Sequence, residues 1–511
     1  MKRTFFAILL LLVMLFAARP AAAANAQLLV QSNLSTAGMN LVCLLRGCTV
    51  TQAVAGSPAN YFVLSVSSSA NTSFLASVLQ QLPGILNVSI LGNSGDPLGN
   101  RYIVRTSGGL LNLPILCKLL LCQILSPLDG TANQLFLLAG PSSQDPNLLL
   151  AILRAVPGVL NVELDQLVSL STGSAQADAP PPSLVDTTPV PYYGSTVWQG
   201  YVNQPATQII RLSQAQQQFN VSGGGIIADI DTGVDPNHPV LQPVLLPGYD
   251  FIRNQPGASE MNDLPSGTPA PENACDGCQP GQVNQHSIAM VDQHSIAMVD
   301  GDGYQDFGHG TMVAGVLHLI APTARILPLK AFGPNGSGDL ANILRAIYYA
   351  EQNNANVINM SFDLTTPSQE LATAVSKGQK QGIIFVASAG NDGKMEMVYP
   401  AGLSNVMGVA STNPQDQRSE FSNYGYQIVW VAAPGEAVIT TYPFGTYAAV
   451  WGTSFSAPMV SGGVSLVQQL KPGVTPTQIQ VSMAQAQLLL AYGMGNGRID
   501  LVRALAAARL Q

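Results

Sequence analysis

Val450-Trp451-Gly452-Thr453-Ser454-Phe455-Ser456-Ala457-Pro458-Met459-Val460-Ser461-Gly462 places a serine where a helix begins. Gly452 permits a backbone turn that a side chain would obstruct. Met459, Val460, Val464 and Leu466 follow at roughly helical spacing. Pro458 lies early in that helix, where a missing N–H costs least. A serine at this point exposes its hydroxyl and an unpaired N–H at the positive end of the helix dipole. Such a residue can attack a carbonyl and help hold the oxyanion that forms. Gly-Thr-Ser before an apolar run also reads as a plain helix cap, so the catalytic reading needs partners elsewhere in the chain.

Three motifs provide them. Ile226-Ile-Ala-Asp-Ile-Asp231-Thr232-Gly233 sets a carboxylate at the end of a buried strand. Asp306-Phe-Gly-His309-Gly310-Thr311 sets a histidine at the mouth of a helix, free of flanking bulk. Phe385-Val-Ala-Ser-Ala-Gly390-Asn391-Asp-Gly393 sets an amide just past a strand end. A serine hydroxyl is a poor nucleophile until an imidazole takes its proton, and a buried carboxylate must hold that imidazole in one tautomer. The Asn391 amide and the Ser454 backbone N–H then make an oxyanion pair.

From residue 207 to 511 apolar strands (226–230, 325–329, 357–360, 383–387, 406–410) alternate with helical segments (311–319, 340–350, 371–377, 456–470). This pattern predicts an α/β domain with a doubly wound, mostly parallel sheet, its reactive residues at the carboxyl ends of the strands.

In the order Asp, His, Asn, Ser, these motifs resemble the subtilisin-like serine peptidases (subtilases). The likeness extends to Asp235-Pro-Asn-His238-Pro239, Lys330, Val357-Ile-Asn-Met-Ser361, Tyr399-Pro400-Ala401, Phe421-Ser-Asn-Tyr-Gly425, Ala433-Pro434-Gly435 and Gly495-Asn-Gly-Arg-Ile499. The resemblance implies Ser454 as nucleophile, His309 as general base and acid, Asp231 as its orienting group and Asn391 as oxyanion donor. It implies that Gly336-Ser337-Gly338 and Ser361-Phe362-Asp363 pair with an extended peptide substrate as strands. An S1 pocket would lie between Ser361–Asp363 and Ser388-Ala389-Gly390, with its floor near Val398 and an apolar P1 preference. Pro400 would be a cis proline. The chemistry requires no cofactor.

The region before the linker is duplicated at a constant offset of 74 residues: Gln27 and Arg101, Cys43 and Cys117, Leu82 and Val156. Such constancy marks two copies of one small domain, each expected to be α+β and ferredoxin-like. Each copy resembles the inhibitory propeptide of subtilases, and the stretch 162–170 (Val-Glu-Leu-Asp-Gln-Leu-Val-Ser-Leu) resembles its tail. The resemblance implies that the chain blocks its own cleft until cut near Leu170 or in the linker. Two copies depart from the usual single one.

At 511 residues the chain exceeds one compact core. Hydrophobic residues make up 47% and charged residues 10%, a composition of packed domains. A formal charge of −8 argues against nucleic acid as partner. Lys2 and Arg3, the apolar run 5–16 and the small residues 21–24 read as a secretory signal peptide, and no later stretch is apolar enough to span a membrane. The expected order is signal peptide 1–24, repeats 27–100 and 101–170, a stiff Pro/Ser/Ala-rich linker 171–205, and an exported peptidase domain 206–511. In an exported chain Cys43/Cys48, Cys117/Cys122 and Cys275/Cys278 read as local disulfides.

Other readings compete at particular residues. Asp231-Thr-Gly also fits an aspartic peptidase, which pairs two such motifs; one occurs here, and that reading leaves the other three motifs unused. Cys275 and Cys278 with His286 and His294 have zinc-ligand character. Asp300, Asp302 and Asp306 are candidate ligands of a structural calcium. The exact repeat of Gln285–Asp292 as Gln293–Asp300 reads as slippage in a tolerant loop. His238 and His318 read as structural. Asp229 points to the same face as Asp231, and the sequence names no partner for this second buried carboxylate. The alternative of a different class is a secreted binding protein with an inactive peptidase fold.

Overall fold

The computed structural model describes residues 26–46, 48–54, 60–66, 72–91, 98–108, 113–142, 145–170, 186–265, 288–292, 295–296 and 304–511. The expected signal peptide, Cys275, Cys278, His286, His294, Asp300 and Asp302 lie outside them. The chain divides into two units, Met1–Asp165 and Gln166–Gln511.

In the first unit each repeat runs strand, helix, strand, strand, helix, strand. The first repeat comprises Ala26–Ser32, Thr36–Arg46, Cys48–Val54, Asn60–Val66, Thr72–Gln80 and Ile85–Leu91. The second comprises Leu98–Thr106, Leu113–Leu120, Gln123–Pro127, Leu135–Pro141, Pro146–Arg154 and Val159–Leu164. In both, the four strands are antiparallel with the first and third at the centre. Alternation along these strands sends one face into a core. Leu28, Val30, Phe62, Leu64 and Leu79 fill the first, and Tyr102, Val104, Phe136, Leu138 and Leu153 fill the second. Every pair keeps the 74-residue offset, so the duplication read from landmarks is also a duplication of core positions. Disulfides Cys43–Cys48 and Cys117–Cys122 tie the first helix of each repeat to the chain just beyond its carboxyl end.

The second unit is built on eight strands in the order Gln255–Pro256, Tyr249–Asp250, Arg325–Lys330, Ile226–Asp231, Val357–Met360, Ile384–Ser388, Val406–Thr412 and Val431–Pro434. All neighbours are parallel except the first pair. Helices His309–Ile320 and Thr453–Leu470 pack together over the sheet, and Leu340–Gln352 and Gln369–Lys380 form a second helical pair against it. With helices covering them, these strands are nearly continuous apolar runs rather than alternating ones. The strand Ile226–Asp231 separates Arg325–Lys330 from Val357–Met360, so the winding reverses there and opens a crevice at its carboxyl end. Asp231 is the last residue of that strand.

Three features differ from the sequence expectation. The serine helix starts at Thr453 rather than 456, because Phe455 N–H closes the first turn on the Gly452 carbonyl at 3.1 Å. The stretch expected as linker over 171–205 is folded from Asp186 onward. Pro189–Tyr192 and Ser195–Trp198 form a hairpin, and buried Trp198 stacks on Tyr447 at 4.5 Å. Tyr201 donates to the Gly315 carbonyl at 2.7 Å, and Gln204 is bonded to Ile439. Composition marked this stretch as exposed, but two large aromatic side chains give it a core to join. Within the octapeptide repeat, Ile288–Asp292 adds a strand parallel to Thr446–Val450.

Candidate active site

Asp231 and His309 are 78 positions apart, and the fold brings them into direct contact. The histidine is the first residue of its helix, after Gly308 in a left-handed turn (φ 91°). Its Nδ1 lies 2.7 Å from Asp231 Oδ1, and the same oxygen accepts the Thr232 N–H at 2.7 Å. Burial disfavours the imidazolium, but the charge and hydrogen bond of Asp231, with the charges of Asp306 and Asp229, outweigh it and push His309 up to about 9.

Ser454 is the second residue of its helix and is buried. Its hydroxyl lies 3.4 Å from the Ser361 carbonyl, to which it donates; among the described residues it makes no hydrogen bond to His309. The ring of the next residue, Phe455, sits 5.4 Å from the imidazole. Pro458 is the sixth residue of this helix and has no N–H for the carbonyl four residues back, which is that of Ser454. The Ser361 hydroxyl takes that carbonyl instead, at 2.9 Å. The proline thus leaves an acceptor open, and a side chain from the neighbouring strand end fills it.

A buried polar chain continues from Ser361. Asn359 Nδ2 donates to Ser361 Oγ and to Asp229 Oδ1, both at 3.0 Å, while its Oδ1 accepts the Ser461 hydroxyl at 2.8 Å. Asn359 is the partner for Asp229 that sequence reading lacked. Burial, then the charges of Asp231 and Glu260, push Asp229 well above the usual carboxylate range, against the Asn359 hydrogen bond and the His309 charge. The available signal was a polar residue inside the otherwise apolar strand 357–360.

Asn391 follows Gly390 past the strand end. Its Oδ1 accepts the N–H and the hydroxyl of Thr453, both at 2.8 Å. That pairing fixes the amide rotamer and turns Nδ2 away from Thr453. Thr453, which sequence reading passed over, thereby couples the amide to the start of the serine helix.

The two stretches expected to pair with substrate carry a strand of this same chain. Leu167–Leu170 lies antiparallel between Ser337–Asp339 and Phe362–Asp363, with Ser337 opposite Ser169, Gly338 opposite Val168 and Phe362 opposite Leu170. Leu170 N–H donates to the Gly336 carbonyl at 2.9 Å, and the Gln166 carbonyl accepts Leu340 N–H at 2.9 Å. Val168 and Leu170 are buried while Leu167 is exposed. Ser361, Phe362, Ser388, Ala389 and Val398 are all buried, and Ser388 Oγ is 3.5 Å from the Phe362 carbonyl. At Gly390 (φ 93°) a Cβ would press on Asn423 Nδ2 and, at 2.8 Å, on Asp363 Oδ2, in a backbone conformation that favours glycine. Tyr399–Pro400 is cis.

Asp306, the one described member of the calcium triplet, packs against Gly336, and among the described residues no group of three His, Cys, Asp or Glu is placed to hold a metal. His238 and His318 are buried, at 3.1 Å from the Thr446 carbonyl and the Tyr201 hydroxyl respectively. Among the described residues no helix is long and apolar enough to cross a membrane.

The model of the subtilase family matches residues 222–497, over half of the chain. The thermostable alkaline protease of Halalkalibacterium halodurans is 38% identical over 208 residues, 39% of this chain and 57% of that protein. Subtilisin Savinase of Lederbergia lenta is 35% identical over 215 residues, 40% of this chain and 78% of that protein. The chain thus spans little more than half the length of the first relative. Among solved structures, fervidolysin from Fervidobacterium pennivorans, a keratinolytic enzyme related to subtilisin, superposes with a TM-score of 0.58 over 80% of this chain and 61% of that one. At 20% identity that likeness concerns the fold alone.

Proposed function

The chain belongs to the subtilase family, and on that premise we propose that it is an exported serine endopeptidase made as a self-processing zymogen. The observation that carries the reading is the 2.7 Å pairing of His309 Nδ1 with Asp231 Oδ1 at the crevice where the Ser454 helix begins. Asp231 holds the imidazole with Nδ1 protonated and Nε2 as acceptor. Rotation of the Ser454 hydroxyl away from the Ser361 carbonyl delivers its proton to Nε2, and catalytic hydrogen bonds of this kind commonly tighten only when substrate binds. Oγ attacks the scissile carbonyl carbon, and the oxyanion accepts from Ser454 N–H and Asn391 Nδ2. The C–N bond breaks as the imidazolium returns the proton to the leaving amine, and water repeats the sequence on the acyl-enzyme.

Substrate is an extended peptide lying where Leu167–Leu170 lies, between Ser337–Asp339 and Phe362–Asp363. The strand–helix order and central pairing of both N-terminal repeats support a ferredoxin-like, propeptide-type domain, and a strand just upstream of 171 in the cleft supports maturation just past Leu170.

Two measurements test this. Purified protein should be acylated by a fluorophosphonate probe, with the signal lost in Ser454→Ala. N-terminal sequencing should find a later start for the secreted wild type than for Ser454→Ala. The second reading, an inactive binding protein, draws on the Ser454 hydroxyl facing Ser361 rather than His309; a wild-type chain that takes up no probe would favour it.

A further inference from the structure

Between Asp231 and His309 the chain carries a fully buried carboxylate that none of the four motifs includes. Glu260 opens a short turn, Glu260–Asp263. Its Oε2 accepts the Thr232 hydroxyl and the Gly308 N–H, each at 2.9 Å. Its Oε1 accepts the Thr311 N–H at 3.3 Å and the Thr311 hydroxyl. Thr232 follows Asp231, and Gly308 and Thr311 flank His309. The Thr232 hydroxyl also accepts Gly310 N–H at 2.9 Å, while Thr232 N–H sits on the Asp231 oxygen that receives His309.

These contacts place one carboxylate on residues next to each half of the Asp–His pair. The histidine helix has Gly308 at its cap, with no side chain of its own to satisfy the first N–H groups. Glu260 supplies that acceptor from outside, at the positive end of the helix dipole. Glu260 is itself anchored: its N–H donates to the Val234 carbonyl at 3.1 Å, and Val234 N–H to the Ala258 carbonyl at 2.8 Å. Buried Lys330 reinforces the arrangement, with Nζ 2.6 Å from the Thr232 carbonyl and 2.8 Å from Asp263 Oδ2. A carboxylate so enclosed is tolerated because charged and neutral donors compensate it. Burial pushes Glu260 up to about 7, opposed by Thr311, Lys330 and Thr232.

We propose that Glu260 is a positioning residue, its carboxylate clamping the turn after Asp231 to the amino end of the His309 helix and so fixing the geometry of the Asp231–His309 hydrogen bond. The proposal rests on the peptidase reading. Glu260 touches neither substrate nor reacting atoms, so its effect passes through the imidazole.

The test uses Glu260→Gln, Glu260→Asp and Thr232→Val in the self-processed enzyme, with intact sites counted by fluorophosphonate titration. Arg253→Gln is the control; Arg253 ties Asp250 to Asp263 in the same segment but makes no bond to Glu260. Misplacement of the imidazole should lower kcat per titrated site roughly 10- to 100-fold in Glu260→Gln with KM changed less than about twofold. Glu260→Asp should recover part of the loss, and Thr232→Val should repeat it if Glu260→Gln does not fold.

The acid limb of the pH profile should also move to lower pH, because a looser Asp231 contact raises His309 less. Besides Asp231, the charges facing His309 are Asp306 and Asp229, and those facing Glu260 are Lys330, Asp231, Asp229 and Tyr442; all are retained in these variants. Unchanged kcat per site with an unmoved acid limb in Glu260→Gln, or an equal loss in Arg253→Gln, would overturn the proposal. A wild type that is never acylated would instead count against the peptidase reading.

Discussion

The Ser361 hydroxyl donates to the Ser454 carbonyl at 2.9 Å, and the Ser454 hydroxyl points back at the Ser361 carbonyl at 3.4 Å. The first of these bonds exists because Pro458 cannot make it. Ser361→Ala should therefore strand a buried carbonyl and cost about 1–3 kcal/mol of stability. Calorimetry should show the lower Tm, and burst titration should show slower acylation per intact site. An unchanged Tm would mean that another donor reaches that carbonyl.

His309, held at about 9, is mostly protonated at neutral pH and cannot then accept the serine proton. kcat/KM at pH 7 should lie roughly 100-fold below its alkaline plateau. Asp231→Asn should move the acid limb to lower pH while reducing kcat by about 10⁴. Stability has its own sign. The folded pKa is above the unfolded value near 6.5, so this contribution is complete below that pH and disappears as pH rises through about 9. Activity and Tm should thus run in opposite directions between those two pH values, which paired rate and melting profiles will check.

Val168 and Leu170 are the buried side chains of the strand lying in the cleft. A free peptide of sequence 162–170 should inhibit the mature enzyme competitively. Leu170→Asp in that peptide should raise its inhibition constant at least about 10-fold, since burying a leucine is worth about 1.5–3 kcal/mol. Equal inhibition by both peptides would place the binding energy elsewhere.

Trp198 lies in a stretch that composition alone assigns to a linker. Its stacking on Tyr447 makes it part of the second unit's core, and Trp198→Ala should cost about 3–5 kcal/mol. Denaturant unfolding of the processed protein measures this directly; a loss below about 1 kcal/mol would return the segment to the role of tether.

The four candidate positions stand out in the sequence because each is a polar residue at a glycine-marked break between apolar runs, where the alternation of strand and helix changes. Asp231 and His309 needed no knowledge of their separation, since both sit at element ends that a parallel sheet gathers on one side. The residues that brace them left weaker traces. Asn359 is 130 positions from Asp229, and Tyr201 is 114 from Gly315, so neither pairing has a local pattern. Pro458 was visible, but its consequence depended on the register between the serine helix and the strand ending at Met360. In the hairpin 189–198, prolines masked a tryptophan whose partner comes from the other end of the domain.

A strand that fills a groove of its own polypeptide is present at a fixed local dose, on the order of millimolar for short tethers, however dilute the protein becomes. Leu167–Leu170 has that standing in the intact chain. Severing the backbone downstream of it turns a unimolecular association into a bimolecular one, and simple dilution then empties the groove. On the proposed zymogen reading, export into a large volume would complete the activation that one peptide-bond cleavage begins.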